Sequence, residues 1–479
     1  MLQVDMRDDA SPHRVDSVKR RKVLKTVGGT SVALSIAGCA GDEEPDVGNG
    51  NGNGVDDVDA DTGDIDPDEW ADLEGQEVHI LTQESSEDYQ RYWQELAERF
   101  NAATGAYVRM EYTGFGMGLN ERIAELVQAE DPPELSHLGH PDAATYGDLG
   151  QLADHSEVVD HWEDRWGDIP DGARFTVDGN DVFLPMLTNP YTNWYRDDVF
   201  DEVPDTWDSQ LAMAEEHDEG QGGTRGAAFT MVTGDTNTTQ TGFISYAWSA
   251  GAQFFGRDGS DAIDPVFDSE YLDETAETLE FMDQLYEFSD DNLDMTGGDI
   301  NQAIGNELSY QVGWVGSRPK FYGEGTDFSG EIRPCVWPGK DGNHTPWGHV
   351  QGYASFEGAD NEAAMEFLRF WAEPENFIGF YFADPIHNAP VIEEIRDSEE
   401  YQAELDALPD NWNVPEDLPF DHIDITNELP AETEPPNEHT GTIYDSQILL
   451  EMVRDVLVDN EDPETAASQR ADEIRDLIQ

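Results

Sequence analysis

From residue 75 onward the chain alternates between a hydrophobic period near two and one near 3.6, and this alternation lays out its elements. Gly75–Thr82 alternates and then turns apolar, which predicts a first strand. Tyr92, Trp93, Leu96, Ala97 and Phe100 recur at helical spacing and predict a helix over 88–101, ended by Thr104-Gly105. A strand over Val108–Tyr112 follows, then a helix over Leu119–Ala129. After Asp131-Pro132-Pro133 comes a short strand over Glu134–Leu138. A β-α-β-α-β series of this kind predicts a parallel sheet with crossover helices.

Beyond it, the pattern predicts a short strand over Asp181–Leu184 that ends at Pro185, and a strand or turn over Trp194–Phe200. A helix starts within Pro204–Asp208, with Thr206 or Asp208 as its cap. Residues 226–232 read as an apolar strand, 243–250 and 270–288 as helices, and 310–315 as a strand. Helices over 361–371, 446–458 and 463–477 complete the chain. No internal repeat is evident, and no long acidic gap interrupts the alternation. Two α/β lobes account for this better than a string of modules.

Composition sharpens the picture. The 479 residues, 37% of them hydrophobic, suffice for one large two-lobed core. Acidic residues number 105 against 25 basic ones, a formal net charge of -80. Such a surface repels nucleic acid, because no basic stripe remains to neutralise phosphates. It also repels an anionic membrane face. The acids run evenly through segments with apolar periodicity, which argues against a disordered acidic tail. Only Lys19, Lys22, Lys25, Lys320 and Lys340 occur. A lysine-poor, acid-covered surface stays hydrated when molar salt screens repulsion, so the chain reads as salt-adapted.

The N-terminus carries its own signals. Lys19-Arg20-Arg21-Lys22 resembles a twin-arginine export signal, with Val23 where Phe is more usual. The apolar run Thr26–Ala37 that follows is too short to span a bilayer. It ends in Ile36-Ala37-Gly38-Cys39, similar to the lipobox in which the cysteine becomes a lipidated N-terminus. Residues 40–68, rich in Gly, Asn and Asp, read as a flexible tether between a lipid and a domain that begins near Trp70. Cleavage before Cys39 leaves 18 basic and 101 acidic residues, a net of -83. Cys335 is then the sole internal cysteine, expected as a small buried residue with no disulfide.

Several stretches resemble the carbohydrate-type extracellular solute-binding proteins, the branch that includes maltose-binding proteins. They are Phe100–Gly105 (FNAATG), Ala129–Gly139 (AEDPPELSHLG), Leu184–Asp208, Glu307–Ser317 (ELSYQVGWVGS) and Asn361–Asn376. Glu134 replaces the family's Asp, and Arg196 stands where the family has Lys. The likeness covers about residues 74–479 and rests on the order of segments. With the leader, it marks the chain as similar to a haloarchaeal-type lipoprotein. It implies an α/β, two-lobed periplasmic-binding-protein-like fold (type II), whose lobes are joined by hinge strands and close on ligand. Crossings are expected near Pro185–Pro190 and Pro334–Gly339. The implied lobes are 73–187 with 338–392, and 188–337 with 393–479.

The implied function is capture of a small polar solute, a sugar or oligosaccharide, for ABC permease subunits. The protein would act as a monomer, lipid-anchored through Cys39 on the outer face of the membrane, without cofactor or catalysis. Sugars need flat aromatic faces and paired polar groups. Carried over by position, Glu84, Ser85, His137, His140, Thr239, Gln240, Trp314, Ser317, Trp347 and His349 would face the cleft, joined by the aromatics Tyr191, Trp194 and Tyr444. Any single Trp could equally be core. Two other readings stay open. His137-x-x-His140, with His155 and His161, could bind a metal. Paired carboxylates could serve a secreted glycoside-acting enzyme, although 101 acids make such pairs uninformative.

Overall fold

The computed structural model describes residue 60 and residues 62–478, apart from 64, 114–116, 171, 178, 234–237, 258, 260–261, 291, 316–317, 324, 360, 386, 409–428 and 434–436. The leader with Arg20 and Arg21, the lipobox Cys39, most of the tether and Ser317 lie outside the described residues.

Strands β1 (Glu77–Thr82), β2 (Tyr107–Tyr112) and β3 (Leu135–Gly139) run parallel, with β1 between the other two. The helix that links β1 to β2 spans Glu87–Thr104; Ser86 caps its start and Gly105, at φ 79°, ends it. Gly105 can take that left-handed turn without the steric penalty of a β-carbon. The opening series thus has the predicted order.

The long strand β4 (Leu184–Arg196) departs from expectation. It runs unbroken through Pro185 and Pro190, and every residue in it is buried. Proline removes a donor and is tolerated only where the ladder does not need one. Pro185 lies beside a register shift between Gln351 and Gly352 of the partner strand, and Pro190 faces Gly348, where that partner begins. Both prolines therefore sit at irregular points. The first half of β4 pairs antiparallel with β7 (Gly348–Ala354) and with the two-residue strand β8 (Ala389–Pro390). Its second half pairs with β5 (Gln311–Val315) and β6 (Ile332–Val336). One strand therefore belongs to both halves of the molecule.

Each half has its own apolar core. The first gathers β1, β3 and the helices around Trp93, Trp162, Phe367, Trp371 and Phe380, and includes Ile395 and Tyr401. The second is built from helices over Trp207–His217, Thr238–Ala250, Leu272–Tyr286, Ile448–Leu457 and Pro463–Leu477. Thr206 caps the first of these in a reciprocal capping box with Ser209. Trp337 and Trp347 belong to the second core and Val350 to the first.

Residues 226–232 are not a ladder strand. Their backbone is satisfied elsewhere: Ala227 N donates to the Phe288 carbonyl at 3.0 Å, and Thr230 N to Thr239 Oγ1 at 2.9 Å. Apolar content brought this segment inside beside β5, where only its start bridges, Arg225 to Ser309 in parallel, and Gln311 Nε2 donates to the Gly226 carbonyl at 3.0 Å. The helix expected over 446–458 is observed as Ile448–Leu457, and a separate helix, Thr440–Ser446, precedes it across Gln447 at φ 58°.

Candidate functional site

The two cores meet at a seam above the ends of β1 and β3, where polar groups from both sides converge. Glu84, just past β1, accepts from Arg318 Nη2 at 3.2 Å, and Arg318 Nε stands 3.7 Å from Asp384 Oδ2. Arg318 follows β5, on the second-core side, whereas Glu84 and Asp384 follow elements of the first. His387 Nε2 lies 4.0 Å from the other Glu84 oxygen. Burial pushes Glu84 up to about 7, with Asp384 adding to the rise and Arg318 opposing it. One guanidinium thus holds two carboxylates of the opposite side.

Beside this group the end of β3 carries histidines. His137 stacks on Tyr353, with ring centres 5.3 Å apart, and its Nε2 is 3.1 Å from Gln351 Oε1. His140 lies parallel to Phe183 at 6.3 Å and bonds to the Arg174 backbone. His349 of β7 rests against the Gly139 backbone, where a β-carbon would stand 3.0 Å from its Cε1. Burial lowers all three to about 4, and the nearness of His349 adds to the fall at His137 and His140. At neutral pH they are uncharged rings, each with a donor and an acceptor nitrogen.

On the facing side the Tyr444 ring lies 5.0 Å from Trp347, and its hydroxyl is 2.9 Å from Thr241 Oγ1. Tyr444 is half-buried, whereas Trp347 is enclosed beside Trp248, with its backbone N–H donating to Ser245 Oγ at 3.0 Å.

The structure places the other candidate residues in supporting positions. Trp194 and Trp314 are buried in a satellite core with Met295, Ile300, Ile304 and Ile332. Tyr191 donates to the Thr238 carbonyl at 2.6 Å and packs on Trp337. Thr239 accepts from Thr230 N, and buried Gln240 accepts from Leu450 N at 3.2 Å while donating to the Tyr444 carbonyl. The half-buried Ser85 offers its carbonyl to Gln90 Nε2 at 2.7 Å. His155 is committed to the Ala153 carbonyl and the Ser355 N–H, so it is no partner for the His137–His140 pair. Among the described residues no group of three or more His, Cys, Asp or Glu side chains is arranged to hold a metal ion.

Sequence reasoning missed Arg318, Asp384 and His387. The scarcity of basic residues was the usable signal for Arg318, because few cations remain to be placed in a site. Cys335 is buried in a small cluster with Tyr195, Phe200 and Met213, as its surroundings predicted. A polar cavity of about 310 Å³ opens near the start of β1, lined by Glu77, His79, Arg109, Glu111 and Arg122 among others. Its charges pair with one another, Arg109 with Glu77 at 2.8 Å and Arg122 with Glu111 at 2.5 Å.

Two cores joined by shared antiparallel strands, with a polar seam between them, define a two-lobed binding protein. The chain belongs to the bacterial extracellular solute-binding protein family, whose model matches residues 95–409. It is 26% identical over 149 residues to the diacetylchitobiose binding protein DasA of Streptomyces coelicolor, a match that spans 31% of this chain and 30% of that relative. Its fold is that of an ABC transporter solute-binding protein from Thermotoga lettingae solved with α-D-tagatose (TM-score 0.67, 17% identity, covering 85% of this chain and all of that one). A sugar transporter protein from Arthrobacter chlorophenolicus solved with laminaribiose matches equally well (TM-score 0.68, 17% identity, 85% and 100% covered). These likenesses establish the type II two-lobed fold. Among the described residues no helix is long and apolar enough to cross a membrane.

Proposed function

We propose that this protein captures a sugar or oligosaccharide outside the cell by closing its two lobes on the ligand, and hands it to the membrane permease of an ABC importer. The observation that carries this reading is the seam itself. Uncharged His137, His140 and His349, the half-buried Tyr444 ring and the Glu84–Arg318–Asp384 group meet there from opposite cores. Neutral donor–acceptor rings suit hydroxyls, an aromatic face suits sugar C–H surfaces, and carboxylates bond hydroxyl pairs. The sugars named for the relatives support the same class. The protein acts by binding and release, without chemistry.

The lobes are taken as 73–187 with about 348–407, and 188–347 with 429–478, following the two cores. Export through the twin-arginine route, a lipid on Cys39 and an acidic tether would hold a monomer at the outer face of the membrane. An intact mass without lipid at Cys39 would sink that anchor. The mature charge of -83 supports salt adaptation. The melting temperature should then climb from about 0.1 M to molar KCl, where the screening length falls about threefold. Equal melting in the two solutions contradicts it.

A thermal-shift screen of the mature chain in molar KCl against a sugar panel tests the main reading. A stabilising sugar should also shrink the radius of gyration in solution scattering. A flat response to mono- and oligosaccharides, with amino acids or peptides stabilising instead, overturns it.

A further inference from the structure

The two lobes also touch beside the seam, where helix Thr440–Ser446 of the second lies against helix His140–Asp148 of the first. Each helix is fixed to its own body. Ile443 is part of the second core, and the Tyr444 carbonyl and hydroxyl bond to Gln240 and Thr241 of helix Thr238–Ala250 at 3.2 and 2.9 Å. Thr440 Oγ1 donates to the Asn437 carbonyl at 2.8 Å, and Asn437 N to the Pro430 carbonyl at 3.0 Å, which seats the start of the helix. On the other side Ala143 and Ala144 are part of the first core, and Gly147 lies against Phe175 of that core.

Gly441 is what lets the two helices meet so closely. A β-carbon there would overlap Thr145 Oγ1 and stand 2.6 Å from the Pro141 carbonyl oxygen, nearer than real β-carbons come. Those two atoms are themselves bonded, Thr145 Oγ1 donating to the Pro141 carbonyl at 3.1 Å, so neither is free to turn aside. Gly441 lies within the helix and has no left-handed φ, and in a helix glycine is less favourable than alanine. The backbone therefore gives no reason for glycine at 441, whereas the approach of the other lobe does. The contact borders the seam: Pro141 lies just past the end of β3, on the side where Glu84 follows β1, and Tyr444 shares the Gly441 face of its helix one turn on.

We infer that Gly441 is a positioning residue for closure: having no side chain, it lets the helix of the second lobe come down on Pro141 and Thr145 of the first, and so sets the gap in which the seam holds its ligand. This rests on the reading of the chain as a closing solute receptor. Packed cores are stiff, so a side chain forced into the contact has two possible consequences. Where the helices belong to bodies that hinge on β4, rotation about that strand relieves the overlap, and the lobes stay apart with both cores intact. Where they belong to one body, the overlap persists as overpacking and the folded state loses stability. Lobes held apart also bind ligand more weakly, in proportion to the closed fraction lost.

Small-angle scattering of the ligand-free mature chain in molar KCl, with Gly441→Ala and Gly441→Val beside the wild type, separates these consequences. The radius of gyration should rise from wild type through alanine to valine, the closed fraction falling about tenfold at valine, while the melting temperature barely changes. Gly298→Val is the control: Gly298 is exposed in helix Gly297–Gln302, and its β-carbon would meet only Thr296 Oγ1, at 3.6 Å, so the dimensions should not alter. If valine prevents folding, alanine decides. Equal dimensions of the wild type and the Gly441 variants overturn the inference. So does a large melting loss at Gly441→Ala with unexpanded dimensions, or its failure to fold, since the contact would then be part of a single core. No ligand enters this measurement, so an expansion at Gly441→Val in a chain that no sugar stabilises leaves the contact standing and the sugar reading overturned. Where a sugar does bind, its affinity should fall about tenfold at Gly441→Val and not at Gly298→Val.

Discussion

Two regions of the second lobe carry tryptophans near strand ends, and they differ in what faces them. Trp194 and Trp314 lie on one face of the β4–β5 pair, where Thr192 stands opposite Trp314 and Val312 opposite Trp194. That face is closed by Ile300, Ile304 and Met295 of the same lobe. Trp347 and Tyr444 lie where the chain changes lobe, and the helix that carries Tyr444, Thr440–Ser446, packs against helix His140–Asp148 of the other core. An aromatic ring is large wherever it sits. It becomes part of a binding surface only where the atoms covering it belong to a body that can move away. Chemistry at strand ends does not distinguish the two cases, but lobe membership does.

The sharpest way to break this comparison is Trp314→Ala. In a packed satellite core the change should cost about 3–5 kcal/mol, seen as a large loss of denaturant midpoint in the ligand-free protein. Affinity per folded molecule should not alter. Near-normal melting with weakened sugar binding would instead move Trp314 to the seam.

Arg318→Met probes the seam itself. The change leaves Glu84 and Asp384 buried without their cation, at a cost of about 3 kcal/mol in urea unfolding at about pH 8. Glu84 is already raised to about 7, so its folded form takes up a proton that the unfolded chain takes up only at lower pH. Stability contributed by that protonation is present in acid and lost as pH rises through about 7. The loss in Arg318→Met should therefore shrink at about pH 5. An equal loss at both values would show that the guanidinium matters for packing and not for charge.

The sequence made the first lobe readable because its elements follow their own periodicity. The predicted β-α-β-α-β opening has the observed order, and helix 361–371 has the expected bounds, as does helix 463–477 of the second lobe. Reading failed where tertiary partners decide. Pro185 ended a strand on paper, yet it meets an irregular point of the neighbouring strand and β4 runs on through it. Residues 226–232 had strand composition, but their N–H groups at Ala227 and Thr230 bond to the Phe288 carbonyl and Thr239 Oγ1 and not to a ladder. At the seam, Asp384 was invisible for a different reason: 101 acids supply a carboxylate at every spacing, so only its approach to Arg318 singles it out. Arg318 had the opposite problem, being a single residue with no pattern around it.

The smallest expected effect refines the comparison most. Tyr444→Phe removes one hydroxyl from a half-buried ring and leaves its packing on Trp347 intact. The lost bond to Thr241 is worth about 1 kcal/mol at most, because both groups can turn to water at a surface that opens. Melting of the ligand-free protein should barely change. Affinity for the identified sugar should fall several-fold, up to about tenfold, if the hydroxyl or the ring it orients meets the ligand. A large melting loss would place Tyr444 with Trp314, as packing. Unchanged melting together with unchanged affinity would leave it at the seam but outside the ligand's reach, and Trp347, which is covered by Tyr444, would leave the site with it.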